Sequence, residues 1–225
     1  LIDHGWSLKH LHRVIVTSAT YRQSSHVADS NATSSDPDNT LLSHAPRRRL
    51  DGEVVRDAML QLSGQLNDRM FGPPARPELP SQIGPGGWEP DANVADQNRR
   101  SIYVFVKRNT RFPMFEAFDS PSREESCPRR EETTTPSQAL VLLNSPFSLD
   151  CAQRWSERLG EEIGNSNVAD LVQRAYIEAL GRVPTSEESR AAESFIERMQ
   201  QLRSKLPVVD FCHALLNSNE FLYVD

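Results

Sequence analysis

A chain of 225 residues with 37% hydrophobic and 25% charged residues can bury a real core, which excludes wholesale disorder. The formal net charge of −6 leaves no dominant basic face for a phosphate backbone, so nucleic acid is not an expected partner. No apolar run reaches the roughly 20 residues of a membrane-spanning helix, and no signal-peptide layout opens the chain, which lacks an initiator Met and reads as a piece of a longer protein.

Leu8, Leu11, Ile15 and Ser18 recur at helical spacing behind a capping Ser7 and predict a first helix over 7–21. Residues 24–39 turn to Ser, Asp, Asn and Pro, the composition of a loop. Asp36-Pro37-Asp38-Asn39 reads as a turn leading into a short helix at 40–42, because a calcium loop needs an alternating oxygen pattern and a closing Glu that are absent.

Beyond Arg47-Arg48-Arg49, a helix is predicted over 50–64, stopped at Gly64. Its apolar face holds Leu50, Val54, Val55, Ala58, Met59 and Leu62, and Glu53, Arg56 and Asp57 fall outside it. Residues 65–100 form a long Pro/Gly loop with Trp88 as its large anchor. Ser101 to Val106 alternates β-branched and aromatic residues and reads as a strand, which needs a partner from that loop or from upstream.

A short helix at 114–118 precedes a polar connector, 118–146. Within it, Thr135-Pro136 looks like a helix start and Pro146 a stop. The tail is helical: Cys151, Ala152, Trp155 and Leu159 share a side, Gly181 ends a helix over 168–180, Thr185 to Glu188 resembles a capping box, and 208–216 closes the set. The expected class is mainly α, an irregular helical domain with a minor β element near 101–106. Residues 1–146 would form a core and 147–225 a helical part packed on it, one domain overall.

The connector is where polar side chains look positioned. Asp119, Arg123, Arg129 and Arg130 could assemble an anion pocket through guanidinium forks, with Thr134, Gln138 and Asn144 in the same irregular region. The competing reading is an ion-pair network that pins the segment, with Thr133, Thr134 and Thr135 as helix caps. A nucleophilic threonine would need a base that the sequence does not identify, so catalytic residues are not assigned.

Cys127 beside Arg129 and Arg130 would be activated if exposed, and is otherwise a packing thiol or half of a disulfide. Cys127, Cys151 and Cys212 form no CxxC, so neither a zinc module nor haem attachment is encoded. One disulfide or three free thiols both remain open. His10 and His12 point apart on a helix and make a poor metal pair; spacing does not argue for a site built with His4, His44 or His213, and each histidine reads as satisfying a local hydrogen bond.

Several stretches together resemble a known family: Gly5-Trp6-Ser7-Leu8-Lys9-His10-Leu11-His12-Arg13, Thr17-Ser18-Ala19-Thr20-Tyr21-Arg22-Gln23-Ser24, Arg48-Arg49-Leu50-Asp51-Gly52-Glu53 with Arg56-Asp57, Arg100-Ser101-Ile102-Tyr103, the segment from Phe118 to Asn144, and Leu215-Leu216-Asn217-Ser218-Asn219-Glu220-Phe221. They look like the C-terminal domain of unknown function of planctomycete surface-type proteins that also carry cytochrome-c-like domains. The resemblance implies an exported, modular parent, periplasmic or at the cell surface, with any haem in the upstream part and no cofactor in this segment. The partners it implies are upstream domains of the same polypeptide and a cell-surface polymer. The leading reading is a non-catalytic structural or interaction module. Its alternatives are a ligand-binding or hydrolytic domain with an arginine-lined pocket for a carboxylated or sulfated group, and a domain packing against an upstream cytochrome-c-like haem domain.

Overall fold

Helix formation is strongest where capping and apolar spacing agree, and the C-terminal helices meet both conditions. The computed structural model describes residues 1–25, 36–80, 86–122, 126–163, 167–202 and 206–224. The chain is 53% helical against the usual third, so the class is mainly α. It divides into two units, Leu1–Arg49 with Tyr223–Asp225, and Leu50–Leu222.

In the first unit, Ser7 caps α1 (Leu8–Thr17) by accepting from His10 N at 3.2 Å, and no residue of α1 is buried. The His4 and His10 ring centroids lie 3.7 Å apart with the rings tilted by 38°. Asp36 accepts from Thr40 N and Leu41 N at 2.9 and 2.7 Å, so residues 36–42 form a side-chain-closed turn and the helix expected at 40–42 does not form. β1 (Arg48–Arg49) pairs antiparallel with β2 (Tyr223–Val224), the one sheet among the described residues.

The second unit holds the core. α2 (Gly52–Leu62) buries Val55, Met59, Leu60 and Leu62. Two expectations for its faces are overturned: Val54 is 46% exposed, and Arg56 is only 1% exposed. Arg56 is admitted because its guanidinium meets Arg99 O, Ser101 Oγ and Gln97 O at 3.0, 3.1 and 2.8 Å, so a buried charge finds oxygen partners. After α2 the chain runs through the Pro/Gly stretch, which contains α3 (Val94–Gln97) and which Arg99 holds by donating to Arg69 O, Phe71 O and Pro73 O. Trp88 anchors it through Nε1 to Pro77 O at 2.7 Å.

The strand expected near 101–106 is replaced by a 3-10 turn, Ser101–Tyr103, and one isolated parallel bridge between Ala75 and Val104. The partner does come from the Pro/Gly loop, but Pro73, Pro74 and Pro77 lack the N–H groups a longer ladder would need. Asp57 and Arg56 also seize Ser101, through its N at 2.7 Å and its Oγ, and bend the backbone away from extension.

α4 (Pro113–Ala117) and α5 (Pro136–Asn144) flank the connector, and Pro146 both ends α5 and opens α6 (Pro146–Ile163). α6 buries Cys151, Ala152, Trp155 and Leu159 against α7 (Val168–Leu180), α9 (Pro207–Leu216) and α2. Gly181 ends α7 in the left-handed conformation at φ 70°, and the capping box at Thr185 opens α8 (Ser186–Gln201). α10 (Asn219–Leu222) completes the unit, buried through Phe221. No described helix is long and apolar enough to cross a membrane.

Candidate functional site

The connector is fastened at three points. Asp119, at φ 59°, turns its carboxylate to accept from Thr133 N and Oγ1 at 2.9 and 2.8 Å. Gln138 is buried at the start of α5. Its amide donates to Thr133 O at 2.9 Å and its Oε1 accepts from Thr135 N at 3.3 Å, closing the cap that the Thr-Pro start predicts. Arg130 reaches the first turn of α2, where it grips Glu53 through two bonds of 2.9 Å and lies 3.2 Å from Asp51. The Glu53 hydrogen bonds raise the Arg130 pKa, so the cation is held firmly in its charged form.

Of the other sequence-predicted site residues, Arg129 and Thr134 are exposed, Asn144 Nδ2 donates locally to Leu140 O at 2.9 Å, and Arg123 lies outside the described residues. Cys127 is exposed and free, with its Sγ donating to Arg129 O at 3.1 Å, so it is neither a packing thiol nor half of a disulfide. Cys151 and Cys212 are free and buried. Burial pushes the Cys151 thiol up to about 12 and that of Cys212 higher still, which leaves both protonated. No group of three or more His, Cys, Asp or Glu side chains gathers as a metal site among the described residues.

Beside Arg130 opens a cavity of about 440 Å³. Asp51, Glu53 and Asp57 line it from the start of α2, and Arg100, Lys107 and Arg111 from the segment that follows the Pro/Gly stretch. Phe112 and Phe115 form part of its wall. Each charged group is already held: Arg100 Nε lies 3.5 Å from Asp57, Arg111 lies 3.9 Å from Glu116, and Lys107 Nζ donates to Gly86 O and Gly87 O at 2.7 and 2.9 Å. The arrangement offers ordered hydrogen-bond donors and acceptors over apolar side chains. Every lining carboxylate sits against an arginine.

The carboxylate half of this cavity comes from the start of α2 and is not among the site residues expected from the sequence, all of which lie in the connector and α5. A signal was present: Glu53 and Asp57 are four apart on a helix and therefore share a face, next to the arginines that follow the loop.

A family model described as "Protein of unknown function (DUF1553)" matches residues 1–196. No curated protein and no solved structure matches the chain.

Proposed function

The chain belongs to this PSD1 family, whose description assigns no activity, and from that premise we propose that it is a non-catalytic structural or interaction module of a larger exported protein. The observation that carries the proposal is α1. Its ten residues bury nothing, while Leu8, Leu11, Val14 and Ile15 lie on one side and are 37% to 61% exposed. A ten-residue helix is marginal in water by itself, and an uncovered apolar row is what a docking partner stabilises. The partner in this proposal is another domain of the same polypeptide, which the resemblance noted above would make an upstream cytochrome-c-like domain of an exported parent. The connector supports the same reading, since Asp119, Arg130 and Gln138 are all engaged in fastening the chain to itself.

The test is retention of the upstream part of the parent polypeptide on immobilised domain, with wild type compared to a Leu11→Asp, Ile15→Asp variant. Retention lost in the variant, with the thermal melt of the domain unchanged, is the expected result. Equal retention by both sinks the proposal, as does turnover by the isolated domain that Arg130→Ala abolishes without unfolding. A second reading, a site for a carboxylated or sulfated group at Arg130, has the adjacent cavity in its favour and the saturation of Arg130 by Glu53 and Asp51 against it. Calorimetric titration with inorganic sulfate separates the two.

A further inference from the structure

We infer that the cavity at the start of α2 is a binding site for an uncharged polyhydroxylated ligand, of the kind a saccharide ring presents. At about 440 Å³ it has small-molecule size. Among the described residues its arginines are matched by carboxylates: Arg130 sits between Glu53 and Asp51, Arg100 sits on Asp57, and Arg111 lies near Glu116. Lys107 is held by two backbone carbonyls.

An entering anion finds guanidiniums whose charge is already matched by carboxylates, and an entering cation finds carboxylates already matched by arginines, so neither gains the full attraction of an unmatched partner. A hydroxyl carries no charge that needs matching. It donates to a remaining carboxylate lone pair and accepts from a guanidinium N–H, and a carboxylate offers about four acceptor sites and a guanidinium five donors. The pairs are anchored on separate elements, the start of α2, the 3-10 turn and the connector, so their geometry is set before a ligand arrives. Phe112 and Phe115 supply the apolar wall that the C–H face of a ring would cover. No residue of α1 takes part, so this site can fail without touching the docking proposal.

The experiment titrates the full chain with maltose, cellobiose and xylobiose, and separately with inorganic sulfate and with spermidine. Calorimetry and amide chemical shifts provide the readouts. The expected result is sub-millimolar binding of at least one disaccharide, with shifts confined to residues around Val54, Ser101, Lys107 and Phe112. That binding should persist when salt is raised to about 0.5 M, where exposed charges are screened. Val54→Trp, which fills the cavity from the exposed side of α2, should weaken binding at least about tenfold while leaving the melting temperature in place. If that variant does not fold, Ile102→Trp, at a lining residue 79% exposed, replaces it. Absence of binding by all three sugars overturns the inference. So does tighter binding of sulfate or spermidine than of any sugar, or full binding by the folded cavity-filling variant.

Discussion

Arg56 places a guanidinium in the interior of the second unit. Three oxygen acceptors take its Nη1 and Nη2 groups while Nε is buried without a partner among the described residues, and the Phe112 and Phe147 rings lie 5.8 and 5.6 Å from it. Burial lowers its pKa to about 10, so it is still protonated at neutral pH. Arg56→Ala strands those acceptors beside an empty volume and should cost about 3 kcal/mol, read as a lower urea midpoint at unchanged slope. Arg56→Lys should recover little, because an ammonium cannot span three separated carbonyl and hydroxyl oxygens. A second arginine, Arg182, bridges Glu188 and Glu220 and fixes the turn between α7 and α8. Its hydrogen bonds, with that of Thr185 N, hold the Glu188 carboxyl down at about 2 from an ordinary 4.5. Since the folded value lies below the unfolded one, this contribution is complete above about pH 4.5 and disappears as pH falls toward 2. Glu188→Gln should therefore flatten the acid limb of the stability profile in that window. At neutral pH it should cost about 1 kcal/mol, because the pair is a third exposed and solvent screens it. Asp119 and Arg130 could be recognised in the sequence as positioned groups, since charge and hydroxyls crowd an irregular stretch. Their partners could not be, because Glu53 lies 77 residues from Arg130 and nothing local links them.

At the scale of elements, Gly52 separates local preference from packing. It opens α2, where glycine is the poorer helix former, and propensity by itself favours Gly52→Ala. An added Cβ would stand 2.8 Å from Phe118 Cβ and 3.3 Å from Met114 O, both fixed parts of α4 and the residue that ends it. The substitution should instead destabilise by about 1–3 kcal/mol, measured as a drop in thermal midpoint with helicity retained. Val54→Ala, on the same helix but half-exposed, should change little and serves as the control. The same contest explains the element that sequence reading misplaced. Alternation over 101–106 is a genuine β signal, but a strand needs a ladder, and its neighbour from the loop supplies Ala75 between prolines. Asp57 and Arg56 then provide the hydrogen bonds that a second strand would have provided, in a bent geometry. Capping, by contrast, is local chemistry, so Thr135, Gly181 and Thr185 were legible one residue at a time.

For the molecule as a whole, the distribution of burial decides what folds. Every buried apolar side chain of the core falls between Val55 and Phe221, and among the described residues of 1–49 none is buried. The helical tail was readable because its apolar spacing coincides with that burial. The first helix showed equally good spacing and buries nothing, since periodicity reports a face and says nothing of what covers it. The ends of the second unit are also joined to each other, by Leu50 N donating to Leu222 O at 2.8 Å. Within it, Arg158 ties α6 to Leu62 O at the end of α2 while also pairing with Glu178 on α7, which itself accepts from Trp155 Nε1 at 3.0 Å. A fragment spanning 50–222 therefore retains the complete core and its closure. It should melt in one cooperative transition within about 4 °C of the full chain, a shift corresponding to a change of roughly 1 kcal/mol. Calorimetry on the two proteins checks this. A broad or absent transition in the fragment would mean that residues 1–49 contribute to the core after all, and that α1 is a structural helix whose apolar row is not a docking face.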